Sequence, residues 1–181
     1  FLKTLFDEAV KAADPELIIQ SHIPDPPKGK TVVIGVGKAA AKLALALEMR
    51  FKGPISGIVV TPYGHGVKCR NIEVVEAAHP LPDENGLLAS KKIVSALQGV
   101  TLDDLVIALV CGGGSALLPA PPESLNLQDE IDLNKVLLSS GISISKMNLI
   151  RKHFSTLKGG KLGLACNPAK VITLVLSDIP G

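Results

Sequence analysis

The feature that most constrains this chain is a repeated order: a short apolar run, a break at glycines, then a segment of different character. Residues 31–34 run into Gly35, Val36 and Gly37, and residues 38–49 are then rich in Ala and Leu without Gly or Pro. Strand, glycine turn and helix follow one another directly, which begins a β-α-β unit. Residues 104–111 form a second strand with a fully apolar core, and it breaks on Gly112, Gly113, Gly114 and Ser115. Residues 57–61, 72–76 and 171–177 read as three further strands. Strands buried on both faces and separated by helices predict a parallel, doubly wound sheet.

The helices follow from periodicity and caps. Leu2, Leu5, Phe6, Ala9, Val10 and Ala13 recur at helical spacing, and Asp14 with Pro15 supplies a cap and first-turn proline for a second short helix through Ile19. Residues 24–30, with three prolines and a glycine, form a linker. Asp83 caps a helix reaching about Leu97. Residues 127–138 and 143–157 read as helices, with the stretch 158–161 interrupting the second, and Asn167-Pro168 closes the next helical stretch. The strand at 171–177 is expected to be buried. The chain stops at Gly181, four residues after it, before the helix expected to cover that strand, so a truncated N-terminal domain is expected.

Composition removes several function classes. The 181 residues, 46% hydrophobic and 20% charged, suit one globular domain rather than a disordered chain. A net charge of +2 gives no electrostatic drive toward nucleic acid or anionic lipid, and 3% aromatic residues with no Trp disfavour a base-stacking surface. The longest apolar run, 105–111, falls far short of the roughly 20 residues of a membrane span. Cys69, Cys111 and Cys166 lack any C-x-x-C spacing, which argues against a disulfide scaffold or a thiolate zinc site and for a reducing, cytoplasmic setting. The chain opens on Phe1 rather than Met, so a cleaved mitochondrial or other targeting segment stays open.

Chemistry is carried by the turns. Gly35-Val36-Gly37-Lys38-Ala39-Ala40 matches G-x-G-x-x-A between strand and helix, where small residues let N–H groups approach a phosphate. A nicotinamide enzyme also wants an acidic residue about 20 positions on, but the second strand ends in Val60-Thr61-Pro62. A Walker P-loop fails, because Val32 and Ala39 stand where Gly and Ser or Thr are needed. What remains is Lys38 at the mouth of a phosphate-sized turn; the alternative is a solvated first-turn lysine. Gly112, Gly113, Gly114 and Ser115 can form a nest of N–H donors for an anion, or a merely flexible turn. Ala116 and Leu117 follow the serine, so no serine-hydrolase elbow is present. Asn148 and Arg151 share a helix face in a basic run with Lys152, His153, Lys158 and Lys161, which reads equally as a site or as a solvated face. His65 and His79 are loop histidines that either reach a site or brace turns. Asp178, after Ser177 at the last strand end, suits a divalent cation or proton transfer, or caps a following helix.

Taken together, six ordered motifs make the chain resemble the N-terminal domain of the class II glycerate 2-kinase family, often labelled hydroxypyruvate reductase. They are the lysine turn at 33–40, Thr61-Pro62-Tyr63-Gly64-His65-Gly66, Ala78-His79-Pro80-Leu81-Pro82-Asp83, the glycine-serine turn at 112–117, the segment from Asn148 to His153 with Lys158-Gly159-Gly160, and Ser177-Asp178-Ile179-Pro180-Gly181. Cys111 stands where the family more usually has serine, and Ala78 where glycine is common. The resemblance implies an α/β fold with a Rossmann-like doubly wound, mainly parallel sheet flanked by helices, and a smaller C-terminal domain closing over the cleft. It implies phosphorylation of D-glycerate by ATP with Mg²⁺, Lys38 and Arg151 as catalytic residues, and nucleotide or substrate binding by Gly35, Gly37, Gly112, Gly113, Gly114, Ser115 and His153. Asp178 is the metal candidate. A further essential basic group comes from a later part of the family's chain. Glycerate is the expected partner, with a homodimer as the candidate assembly and no nucleic acid or membrane. Two alternatives stand beside it: an NAD(P)-dependent hydroxypyruvate reductase and a non-catalytic nucleotide- or phosphate-binding module.

Overall fold

Alternation along the first strand sets the layers: Val33 faces one side of the sheet, while Val32 and Ile34 face the other. The computed structural model describes residues 1–12 and 14–177. Its strands are β1 (Thr31–Val36), β2 (Ile55–Pro62), β3 (Ile72–Ala77), β4 (Leu105–Cys111) and β5 (Lys170–Leu176). All pair in parallel in the order β3-β2-β1-β4-β5, as in the Rossmann arrangement.

The helices are α1 (Leu2–Ala12), α2 (Pro15–Ile18), α3 (Ala40–Arg50), α4 (Glu84–Ala96), α5 (Gly114–Leu117), α6 (Leu127–Ser139), α7 (Ile144–Arg151) and α8 (Lys161–Ala165), with a 3-10 turn at Ile19–His22. Helix α3 covers one face through Ala40, Leu43, Ala44 and Leu47 against Val33, Ile107 and Leu109. The alanines let its backbone lie close to the strands. Helix α4 covers the other face through Ala89 and Ile93 against Ile34, Val60 and Val106. Leu47 and Ile93 are fully buried, so truncating either to Ala costs about 2–5 kcal/mol. The expected caps are in place: Asp14 Oδ1 accepts from the Glu16 N–H at 2.9 Å, and Asp83 Oδ1 from the Gly86 N–H at 2.9 Å.

Four local expectations change. The helix expected at 143–157 stops at Arg151, because the Ser155 hydroxyl takes the N–H groups of Leu157 and Lys158 and offers the backbone a turn instead. The helix expected from Lys38 starts two residues later, at Ala40. The glycine-serine turn runs straight into a one-turn helix, α5, with Gly113 as its N-cap. Strand β5 is not buried. Among the described residues it pairs with β4 alone, at the edge of the sheet, and Val175 is 65% exposed.

Candidate active site

Strands β1 and β4 are neighbours, so the turns that leave their C-terminal ends lie side by side where open α/β sheets place ligands. The turn after β1 is stitched into the sheet. The N–H groups of Gly37 and Lys38 donate to the carbonyls of Val60 at 3.0 Å and Gly112 at 2.9 Å. Those of Ala39 and Ala40 donate to Cys111 Sγ at 3.2 Å and the Gly37 carbonyl at 3.1 Å. The Thr61 hydroxyl donates to the Lys38 carbonyl at 3.3 Å. These donors are therefore engaged by protein atoms rather than turned toward a phosphate. The glycines answer to packing: a methyl group on Gly35 would meet Val59 Cγ1 at 2.7 Å, and one on Gly37 the Cys111 carbonyl oxygen at 2.3 Å. Gly37 also sits at φ +125, which side chains rarely adopt. What this turn presents is the Lys38 side chain, which is exposed and forms no ion pair among the described residues.

The turn after β4 behaves differently. Gly113 adopts φ +89, and a methyl group there would stand 3.0 Å from His79 Nε2 and 3.5 Å from Lys38 Cε. Lys38 and His79 therefore converge on the triple-glycine bend. Among the described residues, no acceptor outside α5 takes the N–H of Gly113, Gly114 or Ser115, and the leading N–H groups of a helix have no partner within it.

A cavity of about 260 Å³ opens beside this bend. It is lined by His79, Gly113, Gly114 and Ser115 together with Asn134 of α6 and Asn148 and Arg151 of α7. Arg151 is half-buried, and its Nε has no hydrogen-bond partner among the described residues. A buried donor left unpaired costs about 1–3 kcal/mol, so the cavity favours a ligand that brings an acceptor. Desolvation, and after it the positive charge of Lys38, hold the His79 pKa below the ordinary histidine value.

The structure thus gathers Lys38, Gly113, Gly114, Ser115, Asn148 and Arg151, with Gly112 joined to the lysine turn through its carbonyl. His153 is exposed beyond the end of α7 and is not among the residues lining this cavity. Lys158 serves the scaffold: its Nζ donates to Glu130 Oε1 and to the Leu118 carbonyl, each at 2.9 Å, while Glu130 Oε2 accepts the Ala120 N–H at 3.1 Å. Lys161 Nζ is likewise spent on the Ser155 carbonyl at 2.5 Å. Asp178 lies outside the described residues.

One contributor escapes motif reading. Asn134 is buried in α6, and the signal for it is a polar residue on the stripe Leu127, Ile131, Asn134, Leu138 of an otherwise apolar helix face. Two of the quoted motifs meet in a brace at the start of α4, in which the Tyr63 hydroxyl donates to Asp83 Oδ2 at 2.6 Å and accepts from Asn85 Nδ2 at 2.9 Å. It ties the loop after β2 to the segment that carries His79. Among the described residues there is no group of three or more His, Cys, Asp or Glu that could hold a metal ion, and no helix is long and apolar enough to cross a membrane.

Known proteins match this chain over nearly its whole length. The family model described as "Domain of unknown function (DUF4147)" matches residues 1–181. A protein of Agrobacterium vitis named "Putative hydroxypyruvate reductase" is 48% identical over 181 residues, covering 99% of this chain and 41% of its own length. The glycerate 2-kinase of Pyrococcus horikoshii is 40% identical over 173 residues, 96% of this chain and 39% of that protein. The crystal structure of the Thermotoga maritima glycerate kinase superposes with a TM-score of 0.86 at 36% identity, covering 98% of this chain and 44% of that one. The chain thus spans about two fifths of the length of the curated relatives it matches. It belongs to the DUF4147 domain family and is homologous to the glycerate 2-kinases.

Proposed function

We propose that the protein carrying this chain transfers the γ-phosphoryl group of ATP to the 2-hydroxyl of D-glycerate. The observation that carries this reading is the approach of two unspent cationic groups to one glycine bend: Lys38, whose Cε lies 3.5 Å from the point a methyl on Gly113 would take, and Arg151, which lines the same cavity as that bend and whose buried Nε is unpartnered among the described residues. Both substrates are anionic, and phosphoryl transfer asks a protein chiefly for positioning and charge neutralisation. In this reading Lys38 stabilises charge on the transferring group. The N–H groups at 113–115 hold phosphate or carboxylate oxygens, and the planar fork of Arg151 clamps the glycerate carboxylate. These 181 residues act as an N-terminal Rossmann-like lobe, with a second lobe closing the cleft and supplying a further basic group.

Magnesium accompanies the nucleotide and is held largely by its phosphates. Asp178 is the protein ligand this reading offers it. A reducing, cytoplasmic compartment suits the three free thiols, two of them buried.

A reductase reading draws on the name of the Agrobacterium relative. Two features weigh against it. Strand β2 ends in Thr61 and Pro62 with no carboxylate for a ribose, and the N–H donors of the G-x-G-x-x-A turn are engaged by protein atoms. A coupled assay on the full-length protein decides: ADP release from ATP plus D-glycerate supports the kinase, whereas NAD(P)H oxidation with hydroxypyruvate and no ADP release overturns it.

A further inference from the structure

We infer that His79, which meets Lys38 at the glycine bend and lines the cavity that Arg151 also lines, is the proton acceptor for the substrate hydroxyl. The inference rests on the phosphoryl-transfer reading above. When an alcohol oxygen attacks the γ-phosphorus, its O–H proton must leave. Among the polar side chains lining the cavity, Ser115, Asn134, Asn148 and Arg151 have no basic site that takes a proton near neutral pH, and Lys38 is an ammonium. The His79 imidazole is the exception.

Its placement is fixed from both ends. Segment 78–82 leaves the end of β3 and runs into the Asp83 cap of α4, where Asp83 is held by Tyr63 and by the Gly86 N–H. The ring lies against Gly113, with Nε2 3.0 Å from the position a methyl would take and Lys38 Cε 3.5 Å from the same point. The absent side chain at Gly113 is thus what admits both groups to the bend. The charged groups near the imidazole are Lys38 from the turn after β1, Arg151 of α7, which lines the same cavity, and Asp83, four residues on and engaged by Tyr63. Burial first, and the charge of Lys38 after it, favour the neutral ring that can accept.

The step balances without another reactant. The glycerate oxygen forms its bond to the γ-phosphorus as the bond from phosphorus to the β,γ-bridging oxygen breaks. ADP leaves with that electron pair, and the hydroxyl proton passes to the imidazole, which later returns it to solvent.

The test is steady-state kinetics of wild type and His79→Gln in the full-length protein from pH 5 to 9, with ATP and D-glycerate. The substitution is expected to lower kcat by about 10² to 10⁴-fold while both KM values stay within about threefold. Protonated His79 cannot accept, so wild-type kcat falls toward acid with a midpoint below the ordinary histidine value of 6.5, and the variant loses that limb. A variant with wild-type kcat, or one with lowered kcat that keeps the acid limb, overturns the role of His79 and leaves the kinase reading standing. A wild type that produces no ADP removes both. If circular dichroism shows the variant unfolded, NMR titration of His79 in the wild type decides: its midpoint must coincide with the acid limb, and a mismatch overturns the inference.

Discussion

Two glycine turns leave adjacent strands at the same edge of the sheet, yet their glycines are there for different reasons. At 35–40 the backbone donors are spent on Val60, Gly112, Cys111 and Gly37, and the glycines make room for neighbouring strands. That turn is a mount for one side chain, Lys38. At 112–115 the glycine at φ +89 makes room for His79 and Lys38, and among the described residues no backbone acceptor outside α5 takes the N–H groups at 113–115. Just past α5, downstream of the second turn, the Lys158–Glu130 pair, with Glu130 buried and Lys158 partly so, holds Leu118 and Ala120. A glycine-rich motif can thus signal a binding surface or a packing constraint, and the hydrogen-bond inventory tells which.

The contrast can be broken by substitution, beginning with the largest effect. Lys38→Ala in the full-length protein should lower kcat by about 10²-fold or more, the scale of a lost electrostatic stabiliser, with the thermal midpoint nearly unchanged. Near-normal turnover would remove the lysine mount from the chemistry. Gly37→Ala should cost about 3 kcal/mol or more in urea unfolding, since it combines an unfavourable φ with a clash against the Cys111 backbone. Gly113→Ala should cost only about 1–2 kcal/mol, because a side chain rather than backbone must give way, but should displace His79 and reduce kcat disproportionately. If Gly113→Ala proves as destabilising as Gly37→Ala and leaves kcat intact, the distinction between the two turns fails. Cys111→Ser should change stability by less than about 1 kcal/mol, because a hydroxyl can take the Ala39 N–H that the thiol accepts.

Much of the architecture was legible because it rests on short-range physics. The five strands announce themselves as apolar runs, Asp83 and Asp14 as caps, and the Rossmann-like order follows from strands separated by helices. Helix α7 was overextended because Ser155 acts through two hydrogen bonds that periodicity does not register. The exposure of β5 depends on its place in the sheet order rather than on its own residues. The site was half legible. Lys38 and the glycine bend stand out as turns, and Asn148 with Arg151 as one helical face, but the basic run mixes a cavity-lining Arg151 with scaffold lysines at 158 and 161. Partners brought together only by folding, such as Glu130 with Lys158, decide which residue does which.

The pairing of β1 with β4 has a further consequence. Ala39 and Cys111 are 72 positions apart along the chain yet share a hydrogen bond, so the spacing of the two turns is metered by one interstrand step of about 4.8 Å. The stretches threaded between them that hold neither turn, such as the loop between β2 and β3, can drift in length without retuning that spacing.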